Sequence, residues 1–455
     1  MASSRTAALS RTVARATNAL LPSGSADDAP AAAGWYPVAR SAEIGTTPVT
    51  VGAAGQAYVV VRLRPGAEVT AFSARCPHRL VPLTAASVVD GRLQCSYHGW
   101  QFNAEGRCVD IPSLGDDGAP LPRADLAAPW AVEERHGWVW LAPERTPVQV
   151  PPRPGQEPAP EPVPALPVPA GPVFGNLDPS LTAAWHPVAL ADELVEGGWL
   201  AVQLLGSTWT LHRTAEGLSV EPAAWDVEER LGVIWVAPAE PRGEWLEVPE
   251  DADPRFVAAW LPPVRTPAPA GLLADNFLDA AHFPFVHAAT FGAADEKVVP
   301  AFDVLTESGG FTSVQDQWFD NPADPGVLDG SRPLRQRRRA TYVVRAPFQL
   351  LLRLEEPDTG AVKTILFLLQ PEDADSTRVY TCMLLSGIGG ARTIPPDVIA
   401  SEVAFEEAVL AEDLALQRQM DSAGLPLTLR DELHVRADRL GVALRRTLAD
   451  FAAGR

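Results

Sequence analysis

Two short stretches constrain this chain more than anything else in it: "CPH" at residues 76–78 and "CSYH" at residues 95–98. The chain holds only four cysteines and eight histidines among 455 residues, and two of each fall in these stretches. Each stretch presents one thiolate and one imidazole from a short loop. A fold that brings the loops together has a Cys2His2 ligand set. Such a set suits one tetrahedral zinc ion. It equally suits a [2Fe–2S] cluster with both thiolates on one iron and both imidazoles on the other, where neutral imidazoles raise the reduction potential. The Cys-x2-Cys spacing usual for zinc is absent. Four cysteines are too few for a disulfide framework in a chain of this length, so metal binding in a reducing, cytoplasmic compartment is expected. Cys108 and Cys382 have no such company and read as small buried apolar residues.

The chain also repeats itself. "WYPVA" begins at Trp35 and "WHPVA" at Trp185; "WAVEERHGWVWLAPE" begins at Trp130 and "WDVEERLGVIWVAPA" at Trp225. The order is the same in both copies, and the matches lie where alternating Val, Trp and Leu predict strands. The second copy is shorter, and what it lacks is the stretch with both Cys-His pairs. Two related β modules are expected, one with a ligand set and one without. Between them, residues 151–172 hold ten prolines in 22 positions. Proline fixes φ and lacks the N–H, so this reads as an extended spacer, about 70 Å long at full stretch.

From about Pro262 the pattern changes. "GLLADNFLDAAHFPFVHAATFG" predicts a helix from Gly271 that breaks near Pro284. Strand-like runs separated by "PDTG" and "PEDADS" follow, as in an antiparallel sheet. Two helical patterns, roughly 399–421 and 429–453, close the chain. The expected architecture is α+β: a flexible tail at 1–33, a β module at 34–146, a Pro-rich linker at 147–173, a cluster-free β module at 174–261 and an α+β domain at 262–455. The tail has Arg5, Arg11 and Arg15 and no acid before Asp27. It lacks the apolar core of a signal peptide.

A second group of ligand-type residues lies in the third domain. Asn276, Asp279, His282 and His287 fall within one short stretch. Two histidines five apart do not share a face of a straight helix, but a break at Pro284 can bring both imidazoles to one point. Two imidazoles and one carboxylate make the facial triad of non-haem Fe(II), which leaves positions open for O2. The carboxylate must come from elsewhere, and "FEEAVLAEDLALQRQM" on a late helix offers candidates.

The first stretch closely resembles the Rieske motif: Cys-x-His, sixteen residues, Cys-x2-His, then Gly99-Trp100 and a Gly106-x-Cys108 turn. The second resembles the catalytic domain of Rieske non-haem iron oxygenases, whose Asn-x2-Asp-x2-His-x4-His pattern fits Asn276, Asp279, His282 and His287. The subclass of vanillate demethylase, dicamba monooxygenase and ketosteroid hydroxylase fits best. The resemblance implies a [2Fe–2S] cluster on Cys76, His78, Cys95 and His98. It also implies a mononuclear Fe(II) on His282, His287 and a late-helix Asp that matches Asp413, with Glu412 or Glu406 as runner-up. In the family, the Asp in the place of Asp279 hydrogen-bonds a cluster histidine, here His98 or His78, and links it to the iron; Asn276 lies near the iron. The inserted cluster-free module departs from the family pattern and leaves two assemblies open, a homotrimer or a monomer with intrachain electron transfer.

The implied function is a terminal oxygenase. It takes O2 and electrons from a separate ferredoxin or flavin reductase and hydroxylates or oxidatively demethylates an apolar small molecule. A non-catalytic electron carrier or redox sensor, using the cluster alone, is the alternative. No Gly-x-Gly-x-x-Gly follows a strand, so NAD(P)H is expected to act only through the reductase. A net charge of −20 argues against nucleic acid as a partner. No apolar run is long enough for a membrane span. Arg75, Arg79, Arg92 and Arg107 surround the cluster loops and are candidates for docking an acidic ferredoxin. His136, His186, His212 and His434 have no ligand-like neighbours in sequence and read as structural or exposed.

Overall fold

The computed structural model describes residues 34–455 apart from 117, 155, 166–168, 170, 293–294, 322–323, 391–392 and 421. The expected tail at 1–33 lies outside the described residues, as do parts of the Pro-rich linker.

The first module is built from ten strands. β1 (Tyr36–Arg40), β2 (Val49–Ala53), β3 (Gln56–Arg62) and β4 (Val69–Ser73) are followed by a small sheet. That sheet is β5 (Ser87–Val89), β6 (Arg92–Gln94), β7 (Gln101–Phe102) and β8 (Cys108–Asp110); β9 (Ala131–Arg135) and β10 (Trp138–Ala142) close the module. The pairings are β1-β10-β9, β2-β3-β4 and β5-β6-β7-β8, all antiparallel. Successive side chains on a strand face opposite ways. On β3, Tyr58 and Val60 therefore fill one core, while Val59 and Val61 fill a second one that holds Cys76, Cys95 and Trp100.

The chain then runs back along this module. Glu161 forms an isolated bridge with Gly52 on β2, and its carboxylate accepts from the Gly55 N–H at 3.4 Å. This part of the linker is laid along a strand edge, which a bare edge favours because its backbone groups need partners. β11 (Val173–Phe174) then pairs with the much later β26 (Leu425–Pro426).

The second module has β12 (His186–Leu190), β13 (Trp199–Leu204), β14 (Ser207–Thr214), β15 (Gly217–Glu221), β16 (Asp226–Arg230) and β17 (Val233–Ala237). Its pairings are β12-β17-β16 and β13-β14-β15. Each follows the first module element for element. The register slips between Pro37 and Ala39 in one and between Pro187 and Ala189 in the other. Trp140 Nε1 donates to the Arg135 carbonyl at 2.9 Å, and Trp235 Nε1 to the Arg230 carbonyl at 3.0 Å. Where residues 74–130 hold the small sheet and both Cys-His loops, the second module has only residues 222–225 between β15 and β16.

The third domain is centred on one antiparallel sheet. Its strands are β18 (Val257–Trp260), β19 (Val264–Thr266), β20 (Asp303–Glu307), β21 (Gly310–Asp320), β22 (Arg335–Arg345), β23 (Gln349–Glu355), β24 (Val362–Asp373) and β25 (Ser376–Ser386), in the order β18-β25-β24-β23-β22-β21-β20 with β19 also on β25. The helices are α1 (Ala270–Phe277), α2 (Phe283–Val286), α3 (Pro325–Leu328), α4 (Pro396–Gln417) and α5 (Arg439–Ala452). Strand alternation again divides two environments. Ile365, Phe367, Leu369 and Met383 join the core with α1, α4 and α5. Leu368 and Tyr380 face the other way, against Trp185 and Trp235 of the second module. On α5, Leu440, Leu444, Leu448 and Phe451 form a buried stripe at helical spacing.

Two expected helices have different bounds. The first ends at Phe277, before the proline, and Pro284 sits in the first turn of a separate helix, where its missing N–H costs nothing. The last helix begins at Arg439, not near 429, because residues 429–438 make tertiary contacts with the cluster loops; the Leu433 N–H, for example, donates to the Pro77 carbonyl at 3.0 Å. Among the described residues no helix is long and apolar enough to cross a membrane.

Candidate functional site

Both Cys-His stretches fold into the same turn. The Leu80 N–H donates to the Cys76 carbonyl at 3.0 Å, and the Gly99 N–H to the Cys95 carbonyl at 3.1 Å. Each turn ends in a left-handed residue, Leu80 at φ 56 and Gly99 at φ 68. The turns put Cys76, His78, Cys95 and His98 together in the interior, each no more than 2% exposed. The two imidazole rings are 4.3 Å apart between centroids, and Trp100 stacks on His78 at 4.6 Å.

The outer nitrogens are both taken. His98 Nε2 lies 2.6 Å from Asp279 Oδ2, and His78 Nε2 lies 3.0 Å from Asp438 Oδ1. A carboxylate acceptor selects the tautomer with the proton on Nε2. Each Nδ1 then carries a free lone pair, and both Nδ1 atoms are buried without a hydrogen-bond partner. Burial lowers the His78 pKa to about 4 against the pull of Asp438, which keeps that lone pair available. A hydrogen bond with Cys76 leads the causes that bring the Cys95 thiol down to about 7. Two adjacent sulfurs and two inward lone pairs fit a [2Fe–2S] group.

The second ligand group forms around α2 and α4. His282 Nε2 and His287 Nε2 are 3.1 Å apart, and Asp413 Oδ1 is 3.4 Å from the first and 3.3 Å from the second. Among the described residues, these three are the group of His, Cys, Asp and Glu whose ligand atoms converge closely enough for one metal ion. Donors about 2.1 Å from one ion and at right angles sit about 3 Å from one another, so the spacing fits three adjacent positions of an octahedron. Asp413 Oδ1 is buried and accepts no hydrogen bond. Burial pushes the Asp413 carboxyl up, but the two imidazoles beside it outweigh burial and hold it at about 2. The group is therefore an anionic carboxylate facing two imidazoles, the donor set that iron takes.

Other residues brace this triad. Glu412 Oε2 lies 2.8 Å from His287 Nδ1 and accepts from the Thr290 hydroxyl at 2.9 Å. This places Glu412 behind His287, and not among the converging ligand atoms. Asp279 accepts from the Ala281 N–H at 2.6 Å with its other oxygen, which also lies 3.9 Å from His282 Nδ1. Burial opposes ionisation of Asp279, yet the His98 imidazole outweighs it and holds the carboxyl well below its ordinary range. Asn276 donates to the Tyr97 hydroxyl at 3.2 Å. Glu406 is not among the converging ligand atoms and lines a cavity together with Asp413, Leu273, Phe277, Phe367, Thr381 and Val409.

Sequence reasoning missed the partners of His78. Asp438 comes from just before α5, 360 positions away, and Arg79 reaches the same carboxylate at 3.0 Å. Arg79 also meets Asp275, which is paired with Arg445, itself paired with Glu432. No spacing in the sequence signals this network. It also corrects the expectation for the arginines. Arg79 is buried among carboxylates, and Arg75 is buried with its guanidinium on the Leu80 carbonyl at 2.7 Å. Neither is on a docking surface, whereas Arg92 and Arg107 are exposed. Among the other histidines, His186 is buried on the Leu181 carbonyl at 2.7 Å, and His434 lies 3.1 Å from Arg79. Cys108 and Cys382 are buried free thiols, each pushed up to about 12 by burial.

Comparison with known proteins gives the same two regions. Residues 34–124 match the Rieske [2Fe–2S] domain, and residues 266–454 match the vanillate O-demethylase oxygenase C-terminal domain. The chain is 44% identical over 81 residues to protein TIC 55, chloroplastic, of Pisum sativum, which is 17% of this chain and 14% of that protein. It thus spans about a seventh of that relative's length. It is 29% identical over 277 residues to the probable methylxanthine N7-demethylase NdmC of Pseudomonas sp. (strain TJI-51), 58% of this chain and 93% of the relative. The solved structure of Pseudomonas putida CBB5 NdmA with caffeine aligns over 92% of this chain and 90% of its own, with 18% identity and a TM-score of 0.40.

Proposed function

The chain belongs to the Rieske non-haem iron oxygenases, and from that premise we propose that it is the terminal oxygenase of a multicomponent system. In this reading one atom of O2 goes into a C–H bond of a small, largely apolar molecule, by hydroxylation or oxidative demethylation. The other atom leaves as water, and the cycle consumes two electrons and two protons. The electrons come one at a time from a separate ferredoxin or flavin reductase.

One observation carries the reading: Asp279 bonds cluster-loop residue His98 at 2.6 Å and begins the segment that holds His282 and His287. When bound, the [2Fe–2S] group supplies single electrons and the mononuclear iron supplies O2 activation. Cys76, Cys95, His78 and His98 would hold the first; His282, His287 and Asp413 would hold the second.

The remaining residues bind, orient and exclude. Glu412 keeps the proton of His287 on Nδ1, so Nε2 points inward as a lone pair. Asp279 keeps the proton of His98 on Nε2, which leaves Nδ1 inward as a lone pair, and ties that loop to the segment of Ala281 and His282. Leu273, Phe277, Phe367 and Val409 give the cavity beside Asp413 an apolar wall, against which an apolar substituent such as a methyl group can pack. Similarity to methylxanthine demethylases makes N-methyl heterocycles a first panel for assay.

The test is product analysis with a surrogate ferredoxin–reductase pair over apolar aromatic, polycyclic and N-methyl compounds, alongside iron counting. An oxygenase holds about three irons per chain and consumes O2 with substrate. A chain with about two irons and no O2 uptake is the electron carrier instead.

A further inference from the structure

The cluster loops and the iron triad that meet at His98 and Asp279 belong to one chain. We propose that each chain is electronically self-contained: the cluster on Cys76, His78, Cys95 and His98 serves the site of His282, His287 and Asp413 in the same chain, through the His98–Asp279 hydrogen bond. This rests on the oxygenase reading and adds which chain supplies the electron. One electron leaves the reduced cluster, and the same number is gained by O2 chemistry at that chain's own site; the external donor reloads the cluster.

The contact is a built interface. Both outer imidazole nitrogens of the cluster loops end on carboxylates of the third domain, Asp279 and Asp438. Arg79 of the first loop is 4% exposed and sits between Asp275 and Asp438. A buried guanidinium is costly unless it is paired, so the loop and those carboxylates are complementary only when docked. Apolar packing continues it: Leu416 and Leu433 of the third domain are part of the same core as Cys76, Cys95 and Trp100. Gly99 meets the ring of Phe285 so closely that a Cβ would overlap it. The backbone is shared too, from Val299 N–H to the Ser113 carbonyl at 3.1 Å.

The cluster-free module makes room for this arrangement. It covers the sheet face opposite the iron cavity. Leu368 and Tyr380 pack on Trp185 and Trp235, while Phe367 and Thr381, one residue over, line the cavity. Polar contacts continue on the same sheet face, where Gln370 of β24 donates to the Gln203 carbonyl of β13 at 2.6 Å and Arg378 of β25 meets Glu193 at 2.6 Å. The module next in sequence to the catalytic domain thus takes one face, and the cluster module, at the far end of the Pro-rich linker, takes the other. In this arrangement the carboxylates Asp279 and Asp438 are already engaged by the chain's own cluster loops.

Two experiments test the proposal. In the first, Ser113→Cys and Val299→Cys are combined in the full-length chain and oxidised in dilute solution. The expected product migrates as a single chain with two thiols lost. Covalent dimers as the main product, or no bridge of either kind, would overturn the proposal. In the second, Cys95→Ser chains, with iron but no cluster, are mixed with Asp413→Ala chains, with cluster but no iron. The cluster is reduced beforehand and its reoxidation is followed by visible absorption after O2 and substrate are added. The wild type is expected to reoxidise at a rate unchanged over a hundredfold dilution, and the mixture to stay at the rate of Asp413→Ala alone. Recovery in the mixture would overturn the proposal and leave the oxygenase reading standing. A wild type that fails to reoxidise with O2 and substrate would instead sink the oxygenase reading.

Discussion

Asp279 Oδ2 lies 2.6 Å from His98 Nε2, although 181 positions separate the two residues. The same carboxylate holds the Ala281 N–H with its other oxygen, so both ends of the group are committed. Asp279 therefore joins a Cys-His loop to the segment that carries His282 and His287, the proposed iron ligands.

Replacing Asp279 with Asn removes an acceptor and installs a donor. Whichever way the amide is turned, either His98 Nε2–H or Ala281 N–H faces an NH2 group. We expect Asp279→Asn to retain both metals and the cluster's electron-resonance signal while turnover falls about 10–100-fold, the range for loss of an orienting carboxylate. Turnover near that of the wild type would reduce the His98–Asp279 bond to a structural contact with no part in electron transfer.

Asp413 and Glu412 are adjacent but differently placed. Asp413→Ala should empty the mononuclear site and leave the cluster spectrum intact. Glu412→Gln should keep the iron and weaken its retention against a chelator by about 10–100-fold, because His287 loses its orienting carboxylate. Metal analysis before and after chelation distinguishes them. Loss of iron in Glu412→Gln with retention in Asp413→Ala would exchange their roles.

Gly99 permits the docking. Its φ of 68 already disfavours a side chain by about 1–2 kcal/mol, and a Cβ would meet Phe285. Gly99→Ala should lower the melting temperature, and adding Phe285→Ala should restore part of the loss. If the double variant is no more stable than the single one, the close approach is not what requires glycine.

His186 gives the second module an acid sensitivity. Burial lowers its pKa from about 6.5 in the unfolded chain to about 4, although Nε2 bonds the Leu181 carbonyl. The unfolded chain therefore binds the proton first as pH falls. This group's contribution is complete above about pH 6.5 and shrinks between there and about 4, by up to about 1.4 kcal/mol per pH step. Urea unfolding of His186→Gln against wild type from pH 7 to 4 should show a shallower acid limb in the variant. Parallel limbs would show that His186 titrates alike in both states.

The sequence by itself determined what short range can decide. Each Cys-His loop is one turn closed by a bond between residues four apart, so its spacing already places thiolate and imidazole side by side. Strand alternation and the repeated Trp-x-Pro-Val-Ala and Val-Glu-Glu-Arg segments likewise determine local pairing, down to the same bulge in both modules. The tertiary structure decided which distant groups meet. Asp438 reaches His78, Glu412 backs His287, Arg79 disappears into a carboxylate network, and one module's loops seat on their own chain's catalytic domain. Spacing carries no sign of such partners, because a buried charge selects its counter-charge through space. The helix bounds follow the same rule: α5 starts at Arg439 because the residues before it are held by the cluster loops and not by a helix.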